Sequence, residues 1–371
     1  MKKILEMFGE PITYGGQESV VYNMLSTFDL KNKYNVDLFT PYFANNKNLI
    51  HLVIENEGSV YSLNNIFKTN DNRLLLSKDV NSFFDTNSNY DVVHIHTGSL
   101  TTMYVYAKAA KTHGIKKVIV HAHSATTKKN IFYKLFKTLL CILMQKYVDV
   151  FLGCSIEAIN AKFTKNIQKV SKIVYNGIDV DKFKFNDKYR EDIRKEYNIS
   201  NKFVIGSLGR LDKEKNIYLM LNIVKKMSNY EDIVLMIVGD GPLKNELLNR
   251  CKDFGIEEKV IFTGNKIETN KFYCSFDCFL LTSFYEGLGI TSIEAQCSGL
   301  PTLISNSITK EGMISSNSFY LDINNIDLWI NKIIEIKSSQ NEKYNRITCK
   351  IDFDKFDRNK TFKIVEKIYN E

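Results

Sequence analysis

Short apolar runs rich in β-branched residues alternate along the chain with longer segments in which apolar residues recur every three or four positions. This alternation predicts strands separated by helices, the pattern of a parallel α/β sheet. The first series of predicted strands comprises Lys3–Phe8, Val36–Thr40, Val92–His96, Val118–His121 and Val150–Cys154. The second series comprises Phe203–Leu208, Ile233–Val238, Val260–Phe262, Cys278–Leu281 and Thr302–Ile304. Two such series predict two doubly wound domains.

The boundary between these domains is predicted within residues 175–190. An Asn-Gly turn signal opens this stretch, and the charged residues after it suit an exposed linker. We therefore assign residues 1–178 to the first domain and residues 179–355 to the second. The length of 371 residues fits two domains of ordinary size.

The composition is that of a globular protein, with 44% hydrophobic and 25% charged residues. The sequence contains no run of eighteen apolar residues, so no transmembrane helix is predicted. The apolar stretch at the N-terminus ends at Phe8, which is too early for a secretory signal. The seven cysteines lack CxxC spacing, which indicates free thiols in a reducing cytoplasm.

The net charge of +8 arises entirely in the first half of the chain. Residues 1–172 hold 21 basic and 13 acidic side chains, whereas residues 173–371 hold 29 of each. A basic face suits nucleic acid, anionic lipid or an anionic substrate, and the alternative is ordinary solubility charge.

Three loops that follow predicted strands carry candidate ligand-binding residues, because ligands of open α/β sheets bind beyond the carboxyl ends of the strands. Gly15 and Gly16 lead into a helix whose amides could face an anion, although a plain turn fits equally well. In "GRLDKEKN", Arg210 and Lys215 could clamp a diphosphate, or be ordinary solvated charges. Asp240 lies in a glycine-bracketed turn, where direct ligand contact is the less expected alternative.

The stretch "SFYEGLGITSIEAQCSGLPTL" places Glu286 and Glu294 on either side of a predicted helix start near Ile290. A helix amino terminus attracts phosphate, whereas carboxylates accept hydrogen bonds from sugar hydroxyls. A molecule with a hexose, a diphosphate and a ribose in that order would satisfy all three groups. The pattern therefore indicates a nucleotide sugar.

With these motifs the chain resembles the family-4 retaining glycosyltransferases of the GT-B fold, which has two Rossmann-like domains facing across a cleft. The branch it resembles most builds bacterial capsule and exopolysaccharide. The resemblance covers the whole chain and rests on the ordered set of the Gly-Gly loop, "DVVHIH", "VIVHAHS", "VYNGID", "GRLDKEKN", "VGDGPL", "FTG" and the two glutamates.

The resemblance implies a role for each part of the donor site. Glu286 would hold hydroxyls of the donor sugar, and Glu294 would hold the ribose. Arg210 and Lys215 would bind the diphosphate, and the Gly15-Gly16 loop would close over it. The donor-binding segment between the two glutamates comprises Gly287, Leu288, Gly289, Ile290 and Thr291. Phe284 and Tyr285, a bulkier pair than the family often has, would shape the sugar pocket.

The resemblance also places His123 beside the donor sugar at the reaction centre. His96 is a weaker cleft candidate, with a packed histidine as the alternative. His94 and His121 are expected to alternate with these two and to face the core or a neighbouring helix. The last helix, residues 356–371, is assigned to the first domain because this helix typically crosses back in the family.

The implied reaction is front-face transfer of a hexose from a nucleotide sugar, expected to be a UDP-sugar, without metal or cofactor. The loop "NKIETN" would recognise the base. Two Asp-x-Asp sequences, at 179–181 and 352–354, do not follow strands that could form a donor site, and we interpret them as solvated.

The acceptor is expected to be a lipid-linked saccharide docked on the basic first domain. Residues 127–147 combine lysines with aromatic and aliphatic side chains, a composition typical of a helix lying on an anionic membrane. A core helix with a lysine rim is the alternative. We expect a cytoplasmic protein peripheral to the inner face of the bacterial cell membrane.

Three other functions compete with this interpretation. A nucleotide-sugar epimerase of the GT-B fold would bind the same donor but need no acceptor surface. A non-enzymatic partner subunit is disfavoured by the presence of Arg210, Lys215, Glu286 and Glu294. Nucleic-acid binding lacks a recognition motif, and we do not expect it.

Overall fold

The computed structural model describes residues 1–68, 73–124, 130–339 and 344–371. It divides into two compact units, the first formed by residues 1–178 with 355–371 and the second by residues 179–354. These limits lie within one residue of the domain limits proposed above. The last helix belongs to the first unit.

The described part of the first unit contains a seven-stranded sheet in which all paired strands are parallel. Its strands are β1 (Lys2–Phe8), β2 (Tyr34–Thr40), β3 (Val60–Ser62), β4 (Val92–Thr97), β5 (Lys117–Ala122), β6 (Val150–Gly153) and β7 (Lys172–Ile173). Their spatial order is β3-β2-β1-β4-β5-β6-β7. Helices cover the sheet, so the central strands are buried and read as nearly continuous apolar runs.

The helices of this unit are α1 (Gly16–Leu25), α2 (Lys47–Ile54), α3 (Leu76–Thr86), α4 (Leu100–Thr112), α5 (Ile131–Met144), α6 (Ile156–Lys162) and α7 (Lys165–Gln168). Several begin at a polar side chain that accepts a hydrogen bond from a backbone amide of the first turn, as at Asn46, Ser99, Asn130 and Ser155. These caps explain why the helices start where they do.

The C-terminal helix, Arg358–Asn370, packs into the first unit through Phe362, Val365 and Tyr369. Two lysines of the sheet bind its last carbonyl groups: Lys2 donates to the backbone oxygen of Tyr369, and the Nζ of Lys117 lies 2.7 Å from the oxygen of Ile368. Cations favour the carboxyl end of a helix, so these bonds anchor it.

The second unit contains a six-stranded parallel sheet in its described part, with the order β10-β9-β8-β11-β12-β13. Its strands are β8 (Phe203–Leu208), β9 (Ile233–Val238), β10 (Val260–Gly264), β11 (Cys278–Leu281), β12 (Thr302–Ser305) and β13 (Ser318–Leu321). Its helices are α8 (Asp187–Glu196), α9 (Ile217–Lys226), α10 (Lys244–Phe254), α11 (Thr269–Ser275), α12 (Ile290–Cys297) and α13 (Ile326–Ser338). The predicted α/β fold with two doubly wound domains is confirmed.

Both sheets reverse their strand order at one point, between β1 and β4 in the first and between β8 and β11 in the second. Loops leaving neighbouring strands diverge at such a switch point and leave a crevice where ligands of this fold bind. The loops after β8 and β11 carry Arg210, Lys215 and Glu286, whereas His96 lies near the end of β4 and His123 directly follows β5. Each unit therefore presents its candidate residues at its own switch point.

All seven cysteines are unpaired, as predicted, and six of them are buried. Among the described residues no helix combines the length and the apolar character needed to cross a membrane.

Candidate active site

The two candidate loops of the second unit are joined by hydrogen bonds from Thr282, the first residue after β11. Its hydroxyl lies 3.0 Å from the backbone oxygen of Lys215 and 3.1 Å from that of Asn216. Thr282 has no exposed surface, so these bonds are shielded from water. They hold the loop after β8 beside the loop that leads into α12.

Lys215 and Glu286 form a close ion pair in this joined region. The Nζ of Lys215 lies 2.5 Å from Oε1 of Glu286, and the hydroxyl of Ser283 donates to the same oxygen at 2.7 Å. The side chains of Lys215 and Glu286 are 23% and 16% exposed, so a ligand could reach both. The residue predicted to bind diphosphate therefore also neutralises the residue predicted to bind sugar.

Arg210 is exposed at the end of β8 and lines a pocket with Gly209, Lys215 and Ser283. The backbone around this pocket is crowded. A Cβ on Gly239, at the end of β9, would lie 2.0 Å from the backbone oxygen of Gly209. Gly239 also has φ of 141°, which only glycine adopts without strain. The glycine after β9 is therefore required by packing.

Asp240 takes part in local interactions within the turn after β9. Its carboxylate accepts a hydrogen bond from the amide of Gly241 at 2.7 Å and pairs with Lys244 at 3.0 Å. The hydrogen bond with Lys244 lowers the pKa of Asp240. These partners account for Asp240 without a ligand, and a role in binding stays a prediction.

Glu294 lies in the second turn of α12 and is held by a buried tyrosine. The hydroxyl of Tyr273, in α11, donates to Oε2 of Glu294 at 2.7 Å. Burial raises the pKa of Glu294 to about 7. The carboxyl group is thus oriented in advance, and its charge changes near neutral pH.

The segment Gly287–Thr291 forms the amino end of α12. Gly289 caps the helix with φ of 74°, and the side chain of Leu288 is buried in the unit. Leu288 could therefore contact a ligand only through its backbone. Amides at a helix amino terminus suit an anion, and the diphosphate site proposed at this segment stays a prediction.

In the first unit, the Gly15-Gly16 loop is shaped by Glu18. A Cβ on Gly15 would lie 2.5 Å from Oε2 of Glu18, whereas a Cβ on Gly16 would meet no atom within 4 Å. A side chain at Gly15 would displace only the carboxylate end of Glu18, and Gly16 borders open space. Burial raises the pKa of Glu18 to about 7.

Four histidines at the switch point of the first sheet form one cluster. The ring centroids of His94 and His96 are 4.0 Å apart, those of His121 and His123 are 4.2 Å apart, and those of His96 and His123 are 5.2 Å apart. Burial lowers the pKa values of His94, His121 and His123 well below the usual value, so these rings are neutral at pH 7.

The expectation that His94 and His121 would alternate with His96 and His123 is wrong. Side chains two positions apart in a strand point to the same face, so all four rings lie on one side of the sheet. The expected contact of His94 with a helix is confirmed, since its Nδ1 lies 2.6 Å from the hydroxyl of Tyr369 in the C-terminal helix.

His96 is a packed histidine, the second of the two alternatives for this residue. It has no exposed surface, its Nε2 lies 2.6 Å from Oε2 of Glu6, and its Nδ1 lies 2.9 Å from Nε2 of His123. His123 itself is partly exposed at the end of β5. Only His123 of this connected pair is placed to reach a ligand.

A group of three histidines, His94, His96 and His121, has ring nitrogens within 4.8 Å of one another and is spaced for a metal ion. Both nitrogens of His96 are already hydrogen-bonded. An ion would have to displace one of these partners.

Models of two glycosyltransferase families match the chain in tandem. "Glycosyltransferase Family 4" matches residues 14–182, and "Glycosyl transferases group 1" matches residues 189–350. Together they span most of both units. The chain belongs to glycosyltransferase family 4.

Individual relatives agree with this assignment. "Putative glycosyltransferase EpsF" of Bacillus subtilis is 26% identical over 303 residues, covering 80% of this chain and 77% of its own. The "UDP-Gal:alpha-D-GlcNAc-diphosphoundecaprenol alpha-1,3-galactosyltransferase" of Escherichia coli is 26% identical over 266 residues, covering 67% and 66%. Anabaena HepE in complex with UDP-glucose shares the fold, with a TM-score of 0.78, 17% identity and full coverage of both chains.

Helix α5 of the glycosyltransferase exposes an apolar face. The exposed side chains are those of Ile131, Phe132, Leu135, Phe136, Leu139 and Ile142. Only the opposite side, with Leu140, Cys141 and Met144, is buried. The alternative of a core helix with a lysine rim does not fit this exposure.

The lysines near α5 differ in what they contact. Lys134 is exposed, whereas Lys137 donates to the backbone oxygens of Asn160 and Ala161 and so caps the end of α6. Lys128 and Lys129 lie outside the described residues. Of the described pair, Lys134 is the one free to meet an anionic surface.

Several residues of the glycosyltransferase that shape the candidate site were missed by sequence reasoning. They are Glu6, Glu18, Asn176, Tyr273 and Tyr369. Two of them left a signal: Glu6 is a charge inside an apolar strand, and Glu18 stands three residues after Gly15, the spacing of a helix capping pair. Asn176, Tyr273 and Tyr369 had no local pattern to mark them.

Proposed function

We propose that this glycosyltransferase moves a hexose from a UDP-sugar to a lipid-linked saccharide, with retention of configuration, in the synthesis of a bacterial capsule or exopolysaccharide. The observation that carries the proposal is the contact of Lys215 with Glu286 beside exposed Arg210, at the switch point of the second sheet. Two cations that could bind a diphosphate, Arg210 and Lys215, lie there beside a carboxylate that could bind sugar hydroxyls, Glu286.

The relatives support the choice of donor and acceptor. The Escherichia coli relative is named for a UDP-sugar donor and a diphosphoundecaprenol acceptor, and HepE has the same fold and binds UDP-glucose. In the proposal, the loop of residues 265–270 recognises the uracil base, and exposed Phe284 and Tyr285 border the sugar pocket.

The proposed reaction is a front-face displacement. The acceptor hydroxyl oxygen forms a bond to the anomeric carbon as the bond from that carbon to the phosphate oxygen breaks. The electron pair leaves with UDP, and a phosphate oxygen takes the proton of the acceptor. Arg210, Lys215 and the amino end of α12 stabilise the charge that develops on the diphosphate. These cationic groups replace a metal ion in the proposal.

The ion pair between Lys215 and Glu286 gives the lysine two partners during this reaction. When the diphosphate charge grows, Lys215 is drawn toward it, and Glu286 is released to accept hydrogen bonds from the sugar. The sugar ring becomes positive in the transition state, so a nearby carboxylate stabilises it more than it stabilises the bound substrate. Glu294, which touches the unreactive ribose, contributes to binding.

The exposed face of α5 is proposed to rest on the anionic membrane that holds the acceptor. Phe132 and Leu135 are 77% and 63% exposed, and Lys134 between them supplies positive charge. An apolar stripe with a basic flank is the arrangement of a helix lying in the membrane interface. The protein would then work at the inner face of the cell membrane.

The proposal is tested by incubating the protein with a panel of UDP-sugars, with and without undecaprenyl-diphosphate saccharides from bacterial membranes. We expect an α-linked product, identified by NMR, only when both substrates are present. A new nucleotide sugar formed without acceptor would show an epimerase instead, and a β-linked product would exclude the retaining mechanism.

A further inference from the structure

One guanidinium group joins the ends of two helices in the second unit. Arg346 lies in the segment between α13 and the C-terminal helix. Its Nε lies 3.0 Å from the backbone oxygen of Ser298, the C-cap residue of α12, and its Nη2 lies 2.8 Å from the hydroxyl of the same serine. Nη2 also donates to the backbone oxygen of Tyr273, in α11, at 3.0 Å. A single nitrogen therefore bridges α11 and α12.

The guanidinium of Arg346 uses all its donors at these helix ends. Its Nη1 lies 3.2 Å from the backbone oxygen of Cys274 and 2.9 Å from that of Phe276, the C-cap residue of α11. An arginine has five N–H groups, and these contacts supply five acceptors. The last carbonyl groups of a helix have no partner within the helix, and a cation stabilises them.

The backbone at Arg346 also packs closely against the end of α12. Gly299 follows the C-cap residue of this helix and has φ of 68°. A Cβ at Gly299 would lie 2.1 Å from the backbone oxygen of Arg346, so only glycine allows this approach. Main-chain packing therefore places Arg346 beside α12, and its side chain extends the link to α11.

This link ends at the side chain that contacts Glu294. The hydroxyl of Tyr273 lies 2.7 Å from Oε2 of Glu294, one turn before the end of α12. Helix α11 has only seven residues, and so short a helix depends on tertiary contacts for its position. Arg346 binds the backbone of the same tyrosine whose hydroxyl meets Glu294. Without the guanidinium, the last turn of α11 could move away from α12 and take this hydroxyl with it.

We propose that Arg346 is a positioning residue for the nucleotide site: by joining α11 to α12, it holds Tyr273 where the tyrosine hydroxyl fixes the carboxyl group of Glu294 for the ribose. The ribose contact rests on the proposed function, whereas the link from Arg346 through Tyr273 to Glu294 does not. An ammonium group offers three donors around one point and lacks the planar fork that spans both helices. Arg346→Lys therefore keeps the positive charge and removes the bridge.

Arg190 offers a matched control for this substitution. Its Nη1 lies 3.0–3.3 Å from the last backbone oxygens of α11, and its Nη2 lies 2.6 Å from the carboxylate of Asp277. These contacts support the end of α11, as those of Arg346 do, but none of them involves α12. Arg190→Lys thus tests the support of α11 alone.

The first experiment compares calorimetric affinities for UDP and for 2′,3′-dideoxy-UDP, which lacks the ribose hydroxyls. Arg346→Lys should lower the affinity for UDP about fivefold and leave that for the dideoxy analogue nearly unchanged, because only the hydroxyl contact is lost. Tyr273→Phe should act in the same way, and the double variant should lose no more than the more affected single variant. Arg190→Lys should keep the preference for UDP. Equal losses for both ligands in Arg346→Lys, or a lost preference in Arg190→Lys, would overturn the proposal.

A second experiment needs no nucleotide. The pKa of Glu294 can be measured by ¹³C NMR of labelled glutamate carboxyl groups, with Glu294→Gln to assign the signal. Tyr273→Phe and Arg346→Lys should shift this pKa in the same direction, and the double variant should shift it no further than the larger single shift. Arg190→Lys should leave it unchanged. An unaltered pKa of Glu294 in folded Arg346→Lys protein would refute the positioning role.

The two experiments separate this proposal from the proposed function. If the pKa shifts as expected but the unaltered protein binds UDP no better than the dideoxy analogue, the assignment of Glu294 to the ribose fails and the link from Arg346 stands. If UDP is preferred and the preference survives in Arg346→Lys, the positioning role fails alone. Ser298→Ala removes one acceptor of Arg346 and is the milder variant if Arg346→Lys does not fold. It should change both measurements in the same direction by a smaller amount, and no change in either would count against the proposal.

Discussion

The switch points of the two sheets carry polar residues in different ways. In the second unit the charged groups stand in loops, where Arg210 is exposed and Lys215 and Glu286 are partly exposed. In the first unit the polar groups stand within strands, where Glu6 and His96 are fully buried. Loop charges can exchange one partner for another when a ligand arrives. Buried, hydrogen-bonded side chains keep a single arrangement.

This difference indicates a division of labour. In the proposed mechanism, the second unit stabilises charge that develops during the reaction, for which a lysine that can change partners is suited. The first unit holds its polar groups in a buried, hydrogen-bonded network, which suits side chains that keep one arrangement. The following experiments test whether each arrangement behaves in this way.

Removing the cation of the second unit should have the largest effect. Lys215→Ala leaves Glu286 without its ion-pair partner and the diphosphate without its lysine, so the steady-state transfer rate should fall about a hundredfold or more. Lys213→Ala is the matched control, since Lys213 is exposed on the same turn. Equal losses in the two variants would show that general charge, and not the position of Lys215, is responsible.

Removing the apolar face of α5 should weaken membrane binding strongly. Phe132→Ser with Leu135→Ser should lower affinity for anionic vesicles at least tenfold, because both side chains lose burial in lipid. Lys134→Glu should have a smaller effect, about fivefold. Ile364→Ser, on the exposed side of the C-terminal helix, is the control. If none of these substitutions changes the affinity for vesicles, the proposal that α5 binds the membrane is wrong.

The raised pKa of Glu294 predicts two effects of pH. The pKa of Glu294 is about 7 in the folded protein, above its usual value of 4.5. The unfolded chain therefore loses this proton first, and the free energy of unfolding falls as pH rises from about 4.5 to about 7. Glu294→Gln should therefore be stabilised relative to the unaltered protein at pH 8, by up to about 3 kcal/mol, but not at pH 4. Chemical denaturation at both pH values measures this difference.

The same group should make UDP binding depend on pH. The ionised carboxylate is the better acceptor for ribose hydroxyls, so affinity should rise severalfold between pH 6 and pH 8 beyond the change caused by the diphosphate itself. In Glu294→Gln, the affinity for UDP should change with pH only through ionisation of the diphosphate. Identical pH profiles for the two proteins would contradict a contact between Glu294 and the nucleotide.

Chelation should have the smallest effect. Since Arg210, Lys215 and the end of α12 are proposed to stabilise the diphosphate, the transfer rate should survive EDTA. The histidine group makes this test informative, because His94, His96 and His121 are spaced for an ion. Loss of transfer with EDTA and recovery with manganese or magnesium would refute the metal-independent mechanism.

Much of the fold could be predicted, because buried parallel strands such as Ile233–Val238 are continuous apolar runs and their turns contain glycine. The loop containing Arg210 and Lys215 comes directly after such a strand, so its position at the edge of the sheet could also be predicted. The short edge strands Val60–Ser62 and Lys172–Ile173 carry no such run and were not predicted.

The hydrogen-bond network of the first unit could not be predicted. Glu6 and Tyr369 are 363 positions apart in the chain, and only the packing of the C-terminal helix brings them together. Lys137 illustrates the same limit. The composition of residues 127–147 suggested that it contacts lipid, but its Nζ donates to the backbone oxygens of Asn160 and Ala161. Side-chain partners of this kind depend on tertiary structure and leave no local pattern.

The central claim is that Glu286 holds the transferred sugar and Glu294 the ribose. The most direct test is calorimetric titration of UDP into Glu286→Ala and Glu294→Ala, beside the transfer rate of each. We expect Glu294→Ala to lose UDP affinity tenfold to a hundredfold, and Glu286→Ala to lose transfer rate by about the same factor with UDP affinity nearly unchanged. If Glu286→Ala loses UDP binding while Glu294→Ala keeps it, the donor lies in the opposite orientation and the account is wrong.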